Sequence, residues 1–86
     1  MADPRVTYGQ LADVLNSFGF ERKRLNDGNY LFEYPGAKVG VSLPSLPRNK
    51  VAHPFHWMKV RGTLDDFGFL DRDKFFDAVR ERSPAA

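Results

Sequence analysis

The sequence contains no cysteine. Disulfides and thiolate metal sites are therefore excluded, and a reducing compartment suits the chain. No apolar run approaches the roughly 18 to 20 residues needed to cross a bilayer. The opening Met1 to Arg5 carries no signal-peptide pattern. These absences argue against membrane and export, and the cytosol is the expected location. Charge of one sign is also scarce. Thirteen basic and 11 acidic residues leave a formal charge of +2, too small a surplus to argue for nucleic acid by itself. No glycine-rich phosphate loop, Ser-His-Asp order or carboxylate pair stands at a spacing that supports another enzyme class. There is no internal repeat, heptad run or low-complexity segment.

Aromatic residues are plentiful. Eight Phe, three Tyr and one Trp lie within 86 residues that are 42% apolar. A chain of this length supports one core, burying roughly 60 to 65% of the surface that its unfolded form exposes. One domain over 1–86, with its ordered core at about 6–82, is expected. No cofactor or structural metal is called for.

The order of elements follows from periodicity and punctuation. Thr7 and Gln10 form a capping box, with Val6 and Leu11 able to staple it. Leu11, Val14, Leu15 and Phe18 then share one helical face. Gly19 ends that helix. Phe20 to Leu25 and Tyr30 to Tyr34 flank the turn residues Asn26-Asp27-Gly28-Asn29, which predicts a hairpin. Pro35-Gly36 turns the chain into a third strand, where Val39, Val41 and Leu43 alternate with Lys38, Gly40 and Ser42. Pro44 to Ala52 reads as a mobile loop. Pro54 opens a second helix with an apolar stripe of Trp57, Val60, Leu64 and Phe67, and Gly68 stops it. Asp71 caps a short last helix carrying Phe75, Phe76 and Val79, before Ser83-Pro84 ends it and Ala85 and Ala86 fray. The fold class is α+β, in the order α-β-β-β-α-α, with a three-stranded antiparallel meander packed against helices.

The stretch Gly19-Phe20-Glu21-Arg22-Lys23-Arg24-Leu25-Asn26-Asp27-Gly28-Asn29-Tyr30-Leu31-Phe32-Glu33-Tyr34-Pro35 resembles, without a gap, the segment of HicA-type toxins that spans their first hairpin. In that family a glycine and an aromatic open the first strand, an arginine falls late in it, Gly-Ser-His forms the turn and a proline closes the second strand. Gly19, Phe20, Arg24 and Pro35 fit. The later Arg61-Gly62-Thr63-Leu64 and Phe67-Gly68-Phe69, with Asp73 and Phe75, resemble the family's second helix, its glycine stop and its closing helix. The resemblance covers about Tyr8 to Val79. It implies a double-stranded-RNA-binding-like fold, metal-independent mRNA cleavage and a HicB-type antitoxin partner. The family's catalytic histidine aligns with Asn29. An amide cannot exchange a proton near neutral pH as a histidine can, and general acid–base help is worth about 10² to 10⁴ in rate. The resemblance therefore implies an RNA-binding scaffold with weak or lost nuclease activity.

The candidate residues each carry more than one reading. Arg22 and Arg24 share one side of the first strand, with Lys23 on the other, and Lys38 extends the same basic surface from the third strand. They form an RNA-phosphate patch, or charges that discourage edge pairing. Tyr30, Phe32 and Tyr34 alternate and pack under helices, while a Tyr at an exposed end could stack on a base. His53 and His56, the only histidines, stand three residues apart at the start of the second helix. Two ligands without a cysteine do not make a zinc site, so surface or capping roles are expected, with a relocated catalytic role as the alternative. Trp57 is expected in the core with its indole N–H at the rim. Val39 to Leu43 is a low-charge run that could accept a partner strand or a symmetry mate, giving a protein-interaction module or a homodimer.

Overall fold

The computed structural model describes residues 5–82. The chain begins with α1 (Tyr8–Ser17), whose capping box forms as the sequence predicts. The Gln10 N–H donates to Thr7 Oγ1 at 3.2 Å, and the Thr7 N–H donates to Gln10 Oε1 at 2.9 Å. Leu11, Val14 and Leu15 are fully buried. Phe18 closes the helix half-buried, and Gly19 leaves it at φ +95°, a backbone region open to glycine at little steric cost.

Three strands follow, β1 (Glu21–Arg24), β2 (Asn29–Glu33) and β3 (Gly40–Pro44), in an antiparallel sheet of order β1-β2-β3. Arg22 stands opposite Phe32, and Phe32 opposite Val41. Then come α2 (Pro54–Asp66), a 3₁₀ turn at Arg72–Lys74 and α3 (Phe75–Arg82). The expected α+β class and strand meander are thus present.

One face of the sheet presents Phe32, Val41 and Leu43 to a core completed by Val60, Leu64 and Phe75. Each such side chain contributes about 1.5 to 3 kcal/mol by leaving water. At one end of the sheet, Tyr34 and Phe69 meet with ring centroids 4.9 Å apart, and Phe20 packs on both. Trp57 is half-buried against Phe75 and Phe76.

Several details differ from expectation. β1 spans only Glu21–Arg24, because Phe20 turns into the core. Lys38 does not stand on the third strand; it lies in the bend before β3, where the Tyr34 N–H already bonds the Val39 carbonyl. Phe67 leaves the apolar stripe and is 56% exposed, since α2 ends at Asp66 and the chain departs at Gly68 (φ +76°). Asp71 occupies the cap position of the 3₁₀ turn without a side-chain hydrogen bond. The expected stop at Ser83-Pro84 and fraying of Ala85 and Ala86 lie outside the described residues.

The segment read as a mobile loop is anchored. The Tyr8 N–H donates to the Lys50 carbonyl at 3.0 Å, the Gly9 N–H to Arg48 at 2.9 Å, and the Ala52 N–H to Val6 at 2.7 Å. Thr7 and Val51 form an isolated antiparallel bridge, and Arg48 pairs with Asp13 at 2.7 Å. The loop carbonyls thereby occupy donors that the first turn of α1 would otherwise leave unmet.

Candidate nucleic-acid interface

Strand alternation turns Arg22 and Arg24 toward the helix-bearing face of the sheet, beside Tyr30 and Phe32. α1 approaches β1, yet all four residues of the strand stay exposed. The Arg22 guanidinium lies over the Tyr30 ring, 4.7 Å from its centroid. Alongside is a cleft of about 40 Å³ whose walls include Tyr8, Arg22, Tyr30, Leu46 and Arg48. The Tyr30 phenol is held below its usual pKa, chiefly by a hydrogen bond with Ser45, with Arg22 and Arg24 adding to the effect against burial.

Among the described residues neither Arg22 nor Arg24 makes an ion pair. Lys23, on the opposite face, is bound to Glu33 at 2.7 Å, and that hydrogen bond raises its pKa. The strand therefore shows a neutralised cation on one face and two unpaired guanidiniums on the other. Guanidiniums in such a setting suit phosphate oxygens, which they can bind with two parallel N–H groups.

Lys38 does not join this patch. It precedes β3 at the end of the sheet where Glu33 pairs with Gly40, whereas Arg24 pairs with Tyr30 near the opposite end. Asn29 is also separate. It opens β2, and alternation sends its side chain to the face opposite Tyr30. Its N–H donates to Asp27 Oδ1 at 3.0 Å and its Nδ2 to Asp27 Oδ2 at 3.2 Å, so it stabilises the hairpin turn.

The two histidines have distinct roles. His53 caps α2, with Nδ1 accepting the Phe55 N–H at 3.1 Å. His56 Nδ1 lies 2.7 Å from the hydroxyl of buried Tyr8, and that hydroxyl accepts the His53 N–H at 3.2 Å. The Tyr8 hydroxyl thereby links the cap of α2 to the His56 ring and fixes the position of the imidazole. Burial, then Lys59, then His53 push the His56 pKa below 6.5. Among the described residues no three His, Asp or Glu side chains gather as a metal site.

Tyr8 and Arg48 are the residues missing from the sequence reading of this site. Tyr8 carried a signal, since it stands three residues before Leu11 on the buried stripe. Arg48 carried none, because its place depends on a contact across the fold. Neither a family model, a curated protein nor a solved structure matches the chain.

Proposed function

We propose that this domain is a HicA-like, double-stranded-RNA-binding-like scaffold that binds RNA and has lost the histidine chemistry of that family. The carrying observation is the charge asymmetry of β1, whose Lys23 is neutralised by Glu33 while Arg22 and Arg24 stay unpaired beside the Tyr30 cleft. Arg22 and Arg24 hold phosphates, Arg48 borders the same cleft, and Tyr30 offers a hydroxyl and part of a ring. Recognition through backbone charge and shape needs no base-reading motif. Lys38 and Asn29 lie outside that surface, and Asn29 supplies no acid or base.

The test is fluorescence anisotropy of single-stranded and duplex RNA over a salt series. Affinity falls as salt rises, and Arg22→Glu with Arg24→Glu removes most of it. Affinity unaffected by both reversals, or no salt-dependent affinity at all, refutes this reading and leaves a protein-interaction module, with a HicB-like antitoxin as the first partner to examine.

One observation favours a second reading, an active metal-independent ribonuclease. Tyr8 both lines the cleft and orients His56, which is neutral near pH 7 and suited to accept a proton. That reading requires RNA decay in EDTA that disappears in His56→Ala.

A further inference from the structure

We infer that β3 pairs with β3 of a second copy of this chain, giving a two-fold dimer with one continuous six-stranded sheet. The inference is independent of RNA binding and begins with the phase of the ladder. The Tyr34 N–H donates to the Val39 carbonyl at 3.0 Å. Alternation from that pair makes Phe32–Val41 and Tyr30–Leu43 the hydrogen-bonded partners, so the backbone amides and carbonyls of Gly40 and Ser42 turn away from β2. They open into a groove of about 520 Å³ between the strand and α2.

That groove has the chemistry of its own partner. A two-fold axis at Val41 sets Gly40 against Ser42 of the partner subunit. Each amide then meets a carbonyl, and the Ser42 oxygen keeps a lone pair beyond its 3.4 Å contact with Lys59. α2 runs antiparallel to β3. Its Lys59 reaches Ser42, while Phe69, beyond its far end, packs on Tyr34. Asp66 therefore stands toward Gly40, and the axis brings Lys59 to Asp66 of the partner subunit and Asp66 to the partner's Lys59. Gly62 and Thr63, between those charges on the groove wall, let two helices approach closely. Met58, 46% exposed, and Leu31, which leans over Gly40, would be covered.

The other edge is unsuited to self-pairing. The Leu25 N–H donates to Asn29, so Arg22 and Arg24 are the outward residues of β1. A two-fold at Lys23 would oppose Arg22 to Arg24 of the partner subunit, and like charges directly opposite repel.

Sedimentation of the full chain over a concentration series tests the dimer, with circular dichroism confirming that each variant folds. The mass rises from one chain to two and no further, because a two-fold interface closes. Ser42→Pro, which removes an outward N–H from an edge strand, weakens association by about tenfold or more. Lys59→Asp and Asp66→Lys each weaken it, and the two together restore it, since each charge meets the other across the axis. A one-chain mass up to about 1 mM, association beyond two chains, or association unaffected by Ser42→Pro overturns the inference.

Discussion

Replacing Gly9 by Ala should destabilise this protein, although Gly9 lies inside α1, where Ala is the better helix former by about 1 kcal/mol. The opposing term is the anchored loop. A Cβ at position 9 would stand 2.8 Å from Arg48 Cβ and 2.9 Å from the Arg48 carbonyl oxygen. Ordinary carbon contacts lie at about 3.5 to 4.0 Å. The loop must therefore retreat by several tenths of an ångström, which strains the hydrogen bond from the Gly9 N–H and carries Arg48 out of the cleft. Overpacking costs about 1 to 3 kcal/mol, and the hydrogen bond is worth about 1. Less the propensity gain, a net loss of about 1 to 3 kcal/mol remains. At roughly 4 to 8 °C per kcal/mol, Tm falls by at least about 4 °C. Gly62→Ala is the matched control, because Gly62 is also helical and its nearest neighbour would be Arg72 Nη2 at 3.7 Å, an ordinary contact. That substitution raises Tm in dilute protein. A Gly9→Ala variant that melts above wild type, as Gly62→Ala does, refutes the packing argument.

Thr7→Ala removes one half of the capping box and lowers stability by about 1 kcal/mol, read from denaturant midpoints at unchanged m-value. Stability should also depend on pH through His56. Its folded pKa lies below the ordinary 6.5, so the unfolded chain binds the extra proton first. Stability is therefore full above the unfolded pKa, falls as pH drops through 6.5, and stops falling once pH passes the lowered folded value. Denaturant titrations at several pH values should show this component shrinking in His56→Gln, while an NMR titration midpoint for His56 at or above 6.5 contradicts the assignment.

What could be read from the chain was what short-range chemistry determines. The Thr7–Gln10 box, the glycines at 19, 36 and 68 with positive φ, and the alternation of Val39, Val41 and Leu43 act within a few residues, and the structure follows each of them. Phe67 was misplaced because periodicity continues one residue past the end of α2. Lys38 was misplaced because hydrophobic alternation runs into the turn, where the ladder has not begun. The anchoring of Pro44 to Ala52 was hidden for a different reason. It depends on Gly9 admitting the Arg48 carbonyl, a contact between segments nearly 40 residues apart that no local pattern encodes. In the candidate site, alternation correctly separated Arg22 and Arg24 from Lys23. It could not show that Glu33 neutralises only Lys23, nor that Tyr8 joins the cleft to His56.

The most direct measurement is a comparison of Arg24→Glu with Lys23→Glu in RNA binding by anisotropy, at matched salt. The two residues are neighbours on β1 and their reversals change net charge equally. They differ in face and in pairing, since Lys23 is held by Glu33 and Arg24 makes no ion pair among the described residues. If the unpaired arginine face holds phosphates, Arg24→Glu weakens binding strongly and flattens the salt dependence, whereas Lys23→Glu has a small effect. Equal losses from both variants would mean that net charge alone governs binding, and that the face beside Tyr30 is not the RNA site.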